Sequence, residues 1–227
     1  MKKFLISIAI LFLFIPKSFG HIDHYADFNY LEYELFRNDK VIGYHKYKFK
    51  REGDILSVSS EVDFKIIKLG VVLYKYFATS EENYKKGKFK SYSSKTKQNK
   101  KNRYVNINFN PVNENLIIDG SSYKGLASKE FIVGTWWNHE IVKAKAQISG
   151  ISGRIIDQTV TFIGKENIQI GDKTYKTLRF NFKSSDETLP ESKRLNTDIW
   201  YEEESYLWVK AAFDKQGYWE YRIKDAK

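Results

Sequence analysis

LNTDIWYEEESYLWVKAAFDKQGYWEYRI, residues 195–223, contains three β-strand patterns in succession. In the middle one, Val209, Ala211 and Phe213 face one way, while Lys210 and Asp214 face the other. This period of two is typical of a half-buried strand. The stretch therefore predicts strands at 198–201, 207–213 and 218–223, joined by turns at 202–206 and 214–217.

The same alternation recurs along most of the chain, with tight turns between the strands. We count about 11–13 strands and no alternation of strands with helices, which predicts antiparallel meanders. A sheet of that size has to curl, close or split. The pattern breaks at 126–147, which we interpret as an irregular or partly helical crossover against the concave face. The predicted fold is all-β: a strongly curved antiparallel sheet or half-open barrel.

The N-terminus has the features of a secretory signal, predicted over residues 1–20. Lys2 and Lys3 precede an apolar run that is too short to span a bilayer. Residues 21–29 are interpreted as a leader or short cap, and 30–227 as a single domain. We expect an exported protein, periplasmic or secreted, that does not span the membrane once the signal is removed. It has no cysteine, so its folding depends on its core and not on disulfides.

Basic residues are concentrated in one stretch, 85–103, which carries nine lysines and arginines and no acid. The formal net charge of +10 falls to +7 without residues 1–20, so the remainder of the mature chain sums to −2. This local patch can bind an anionic envelope surface. Alternatively, it is a solvated hairpin whose lysines protect an edge strand. Nucleic acid is not an expected partner, because no nucleic-acid-binding module is recognisable. The candidate anion-binding residues are Lys95, Lys97, Lys100, Lys101 and Arg103.

Aromatic residues make up 16% of the chain, which favours either a thick core or a lined cavity. The side chains that lie in the crossover and in the least polar strand can line a site for a lipid or other apolar ligand. The alternative for each of them is ordinary core packing. The candidate ligand-binding residues are Trp136, Trp137, Tyr74, Tyr76 and Phe77.

Catalytic and metal motifs give weaker indications. The segment 149–153 lacks the spacing of a nucleophile elbow, and Glu81 and Glu82, as neighbours on a strand, face opposite ways. Cleavage after residue 20 creates an N-terminal His21, which can chelate copper together with a second histidine. His24 follows it, and His45 or His139 can supply the second ligand; the alternative is a solvated tail. We predict no catalytic residue, metal or cofactor, and favour a protein without enzymatic activity.

Three parts of the sequence resemble one family of exported bacterial proteins, the domain-of-unknown-function family 6134. They are Tyr33–His45, then Trp137-Asn138 with Gly153-Arg154-Ile155, and Trp200-Tyr201 with Trp208-Val209-Lys210 and Gly217 to Tyr221. The resemblance spans nearly the whole mature chain and implies a curved antiparallel sheet, loosely like those of periplasmic lipoprotein carriers. It implies no catalytic residues.

Two functional hypotheses follow from these observations. In the first, the concave face of the sheet binds or carries an apolar ligand such as a lipid. In the second, the protein is an interaction or structural component of the envelope that uses the lysine-rich hairpin or a strand edge.

Overall fold

The computed structural model describes residues 25–227, and these residues form one sheet of 15 strands. Two short 3₁₀ helices, His139–Lys143 and Glu191–Lys193, lie in the connections. The predicted signal segment and the first four residues of the predicted leader fall outside the described residues. The strands are β1 (Tyr30–Arg37), β2 (Lys40–Glu52), β3 (Ile55–Lys68), β4 (Val71–Lys85), β5 (Lys88–Gln98), β6 (Lys101–Asn110), β7 (Asn115–Gly120), β8 (Lys124–Ser128), β9 (Ile132–Val133), β10 (Ala146–Ile148), β11 (Ile155–Ile170), β12 (Lys173–Ser184), β13 (Asn196–Glu202), β14 (Trp208–Asp214) and β15 (Tyr218–Ala226).

The sheet consists of two meanders joined through the chain ends. β1 to β8 pair in sequence order, as do β9 to β15, and β1 pairs antiparallel with β15. All neighbouring strands are antiparallel except β9 and β10. Because β8 and β9 are the two edges and do not pair with each other, the sheet is open and not a closed barrel. The predicted all-β, mostly antiparallel fold is therefore confirmed.

The long hairpins close with tight turns whose two central residues have positive φ. These angles are 47° and 59° at Asn38 and Asp39, and 50° and 78° at Leu69 and Gly70. Two positive φ values in a two-residue loop define a type I′ turn, whose twist matches that of the flanking strands. The turns therefore set the starting register of each hairpin, and a register shift follows in both, at Leu35/Phe36 and at Ile66/Ile67.

The centre of the sheet encloses an aromatic core. Tyr33 of β1 stacks on Trp208 of β14 with ring centroids 4.0 Å apart, and its hydroxyl donates to the Trp208 carbonyl at 2.7 Å. Tyr25, at the start of the described chain, is fully buried in the same cluster and accepts from the Trp208 amide at 2.9 Å. Each such buried ring contributes roughly 2–3 kcal/mol of apolar burial. Strands from both ends of the sequence thus share one core.

The structure contains three strands that the alternation pattern did not predict. They are β8, β9 and β10, and all three overlap or adjoin the predicted crossover at 126–147. β9 and β10 contain two and three residues, too few to show a period of two. β7 runs on through Asp119 and Gly120, and the Gly120 amide donates to the Tyr123 carbonyl at 2.9 Å, so the turn into β8 follows at 121–123.

Candidate functional site

The connection between β8 and β11, residues 129–154, lies against the inner face of the sheet. It contains most of the predicted crossover at 126–147, and the term crossover refers to residues 129–154 from here on. Tyrosines from two distant strands hold it in place. The Tyr47 hydroxyl of β2 donates to the Thr135 carbonyl, and the Tyr201 hydroxyl of β13 donates to the Trp136 carbonyl, both at 2.9 Å. The crossover therefore bridges the two meanders and covers much of the concave face.

Trp137 anchors the crossover in the central core. Its side chain is fully buried and makes edge-to-face contacts with Tyr25, Phe49 and Tyr84, at centroid distances of 5.4–5.8 Å. Its indole Nε1 donates to Oε2 of Glu82 on β4 at 3.0 Å. Because the packing and the hydrogen bond fix both ends of the ring, Trp137 is a structural anchor with no surface left for a ligand.

Glu82 is a buried carboxylate that accepts from three side chains. Besides Trp137, the donors are the Tyr84 hydroxyl and Thr135 Oγ1, the latter at 3.3 Å. Burial raises the pKa of Glu82 to about 7, against the lowering effect of these hydrogen bonds. Glu81, next along the strand, is exposed on the outer face. The two acids face opposite ways, as the sequence predicted, and they do not form an acid pair.

Beside this anchor, the crossover and the inner face of β2 to β5 enclose a cavity of about 220 Å³, called the inner cavity here. Its walls include four tyrosines, and no formally charged side chain occurs among its described lining residues, if His45 is counted as neutral. The lining residues that matter below are His45, Tyr47, Tyr76, Ser94, Trp136 and Tyr221.

His45 is the one ionisable nitrogen base among the described residues that line the inner cavity. The residue is half-buried but both ring nitrogens are fully buried, and this burial lowers its pKa to about 3, so the imidazole is neutral at physiological pH. Its ring lies 4.3 Å from that of Tyr47 and about 6 Å from those of Trp208 and Tyr221. Neither ring nitrogen has a hydrogen-bond partner in the protein. A neutral imidazole offers one donor and one acceptor.

Trp136 presents a second unsatisfied polar atom at the inner cavity. Its indole ring packs edge-on against Trp208 and Tyr221, at 5.4 and 5.5 Å, while its buried Nε1 has no acceptor in the protein. The backbone of Trp136 is held at φ 51°, a left-handed conformation that is unusual for a bulky residue. The wall of the inner cavity therefore combines aromatic surface with buried polar atoms that lack partners.

Hydroxyl groups form the opposite wall. The Ser60 and Ser80 Oγ atoms lie 2.8 Å apart across β3 and β4. On β5, Tyr92 and Ser94 both donate to the Gly150 carbonyl of the crossover. Gly150 is required there, since a Cβ would lie 2.6 Å from the Tyr92 hydroxyl oxygen. These four hydroxyls have partners within the protein, whereas Thr96 Oγ1, which also lines the inner cavity, joins His45 and Trp136 Nε1 as a buried polar group without one.

The predicted ligand-binding residues separate into four locations. Trp136 and Tyr76 both line the inner cavity, and Tyr74 lies further along the inner face of β4, next to Phe64. Trp137 belongs to the central core. Phe77 faces outward, is 38% exposed and lines a different cleft together with Lys97.

The predicted anion-binding residues lie around the β5–β6 turn. Lys95 and Lys97 are exposed on the outer face of β5, and Lys100 and Lys101 are exposed at the turn itself. Arg103 is partly buried and donates to Gln98 Oε1 at 3.1 Å and to Ser122 Oγ at 3.2 Å. The four lysines are thus accessible cations, whereas Arg103 also braces the turn.

Neither His45 nor Glu82 was predicted to lie in an internal site. The alternation of β2 places His45 on the same face as Tyr47 and Phe49, and this pattern indicates that its side chain points inward. Within residues 25–227, no group of three or more potential metal ligands comes together. His139 stacks on Tyr206 at 4.6 Å, and His21 and His24 lie outside the described residues. Across the same range, no helix is long and apolar enough to cross a membrane.

The fold and the inner cavity place this chain in a structural class, that of barrel-like proteins whose open antiparallel sheet curves around an internal crossover. The chain belongs to the family described as Domain of unknown function (DUF6134), whose model matches residues 33–224. A solved structure with a similar fold is described as the beta-barrel-like protein of domain of unknown function DUF1849 from Brucella abortus. The two structures align with a TM-score of 0.57 at 8% sequence identity, and the aligned region covers 87% of this chain and 96% of that one. No curated protein matches significantly.

Proposed function

We propose that this protein is a binding protein that takes a neutral, mainly apolar ligand, such as the apolar part of an envelope lipid, into the inner cavity. The observation that carries the proposal is the set of buried polar groups without partners in an aromatic wall: His45, Trp136 Nε1 and Thr96 Oγ1. Leaving a buried polar group unsatisfied costs roughly 1–3 kcal/mol. A ligand with one hydroxyl or carbonyl group lowers that cost.

The size and polarity of the inner cavity limit the ligand. A cavity of about 220 Å³ is below the range of roughly 300–1,000 Å³ that holds a drug-sized molecule. It is larger than the engineered cavity of about 150 Å³ that binds benzene. One ring or one chain segment therefore fits, while the remainder of a lipid lies outside. Because no charged side chain lines the cavity, a neutral group is favoured.

The conformation of Trp136 supports a binding role. A bulky residue at φ 51° costs on the order of 1–3 kcal/mol, and such residues cluster at functional sites. The hydrogen bonds from Tyr47 and Tyr201 on either side hold the crossover in this conformation. Binding is favoured over catalysis because no carboxylate occurs among the described cavity-lining residues to orient His45 as a general base.

Calorimetric titration with octanol, a neutral chain with one hydroxyl, tests the proposal. Ala78 lines the inner cavity, and Ala78→Leu fills part of it, so we expect octanol to bind at least tenfold more weakly than to the wild type. Ser93→Leu adds an apolar side chain on the exposed outer face of β5 and is expected to leave the affinity unchanged. Equal binding by both variants contradicts the proposal. Native mass spectrometry of protein recovered from an envelope fraction then identifies a co-purifying ligand.

The proposal includes export to the periplasm or the exterior, which rests on residues 1–20 of the sequence. Sequencing the N-terminus of protein recovered from the periplasm tests it: a start at residue 21 is expected, and an intact Met1 contradicts it. The second candidate, an envelope interaction role for the lysine-rich hairpin, is favoured by its exposed cations and by the apolar hairpin beside it.

A further inference from the structure

One hairpin extends beyond the rest of the sheet. β3 pairs with β2 only as far as Phe64, opposite Gly43, and β4 pairs with β5 only from Tyr76, opposite Gln98. Asn99 closes the neighbouring turn against β4 through its amide and side chain, at 2.8 and 2.7 Å from Lys75 backbone atoms. Residues 65–75, called the projecting hairpin here, therefore continue roughly 15 Å beyond their last pairing with either neighbouring strand.

The projecting hairpin exposes apolar side chains. Leu69, at the turn, is 94% exposed, and large aliphatic residues continue down both of its strands. Contiguous exposed apolar surface is rare on monomeric proteins, where it marks interaction sites. The remaining exposed aliphatic side chains of the hairpin are Ile67, Val71, Val72 and Leu73.

Exposed lysines lie along and beside this apolar hairpin. Some belong to the hairpin itself and the others to the adjacent β5–β6 turn, which lies next to its base. The two groups meet at a cleft of about 980 Å³, where Asp63 is the single carboxylate among the described lining residues. The cations are Lys65, Lys68, Lys75, Lys97, Lys100 and Lys101.

We propose that the projecting hairpin docks the protein on a phospholipid bilayer that contains anionic lipids, with Leu69 and Val71 inserted among the acyl chains. The charges of these lysines are complementary to those of anionic lipid headgroups, and each lysine near an anionic membrane surface strengthens attachment about fivefold. The apolar tip supplies the second signal that stable peripheral attachment requires, and its reach exceeds the roughly 5–10 Å depth of interfacial insertion. The docking surface is separate from the inner cavity, so this proposal stands without the proposed ligand.

Co-sedimentation with vesicles measures the attachment directly. The wild type is expected to bind vesicles of phosphatidylcholine mixed with phosphatidylglycerol, and to bind pure phosphatidylcholine vesicles at least 100-fold more weakly. Charge reversal at Lys97, Lys100 and Lys101 to Glu is expected to weaken binding to the mixed vesicles by at least about 100-fold. The matched control reverses Lys85, Lys88 and Lys90, which lie around the β4–β5 turn at the opposite end of β5, and is expected to retain most of the binding.

The apolar contribution has its own variant pair. Leu69→Asn with Val71→Thr removes apolar side chains without disturbing a turn position that has positive φ, and is expected to weaken binding about tenfold. Val112→Thr with Leu126→Asn makes the same exchanges at exposed positions away from the tip and is expected to have no effect.

Three outcomes overturn the proposal. Equal binding to both vesicle types excludes recognition of anionic lipid. Unchanged binding in the Leu69→Asn, Val71→Thr variant excludes insertion of the tip. Conversion of a dimer to a monomer by that variant, in sedimentation velocity without lipid, identifies a second copy of the chain as the occupant. Circular dichroism and thermal melting establish that each variant is folded, which is expected because all the substituted side chains are exposed.

Discussion

The buried carboxylate of Glu82 predicts that the stability of this protein falls as the pH rises from about 4.5 to about 7. Its pKa is about 7 in the folded protein, against 4.5 for an ordinary glutamate. The folded state therefore holds a proton that the unfolded state has already lost between about pH 4.5 and 7. At 1.36 kcal/mol per pKa unit, the free energy of unfolding falls by about 3 kcal/mol across this window.

Glu82→Gln removes this titration while keeping the side-chain shape and an oxygen acceptor for Trp137 Nε1. At about pH 8, the variant avoids the cost of the buried charge but has to rearrange the hydrogen bond with Tyr84, worth roughly 1 kcal/mol. We expect it to be about 2 kcal/mol more stable than the wild type there. At about pH 5, where Glu82 is protonated, we expect it to be equal or slightly less stable.

Urea unfolding, followed by tryptophan fluorescence at several pH values, measures both curves. The control is Glu81→Gln, which changes the exposed acid on the outer face of the same strand. This control is expected to keep the wild-type pH dependence. A parallel loss of stability by Glu82→Gln and the wild type between about pH 5 and 8 contradicts this prediction, because a group other than Glu82 then causes the pH dependence of stability.

Three further predictions concern the crossover and the inner cavity. Trp137→Phe loses the hydrogen bond to Glu82 and part of the buried ring, and we expect about 2–3 kcal/mol less stability in urea unfolding. Tyr47→Phe removes the hydroxyl that holds the Thr135 carbonyl; we expect a loss of about 1 kcal/mol and faster hydrogen exchange within the crossover. His45→Phe replaces a buried ring that has no hydrogen bonds, so we expect thermal stability to be unchanged or raised, while octanol binds more weakly.

The strands were predictable where alternation is long enough to be read. The pattern of Val209, Ala211 and Phe213 corresponds to β14, and the final three strands pair as a meander. β9 and β10 were not predictable from local pattern, because their pairing depends on contacts across a crossover of irregular backbone. Alternation reports which face is buried, but it does not report which distant segment covers that face.

The inner cavity was less predictable because its chemistry depends on residues that are far apart in sequence. The parity of β2 directs His45 inward, but its lack of partners depends on Trp208 and Tyr221, more than 160 positions away. Likewise, Glu82 becomes a buried acid only because the crossover brings Trp137 and Thr135 onto it. Local sequence gives the direction of these side chains, whereas tertiary packing determines their hydrogen bonding and pKa.

A row of aromatic rings connects the projecting hairpin with the inner cavity. Tyr74 lies 5.9 Å from Phe64, which stacks on Tyr76 at 4.8 Å, and Tyr76 lines the cavity. If the hairpin enters a bilayer, this inner face of β3 and β4 offers apolar surface from the membrane to His45 and Trp136. A lipid chain can then leave the bilayer without crossing water, which is the costly step for an apolar molecule. Under this reasoning, the hairpin variants slow the loading of a membrane-borne ligand but leave octanol affinity unchanged, so the two proposed sites are separable by experiment.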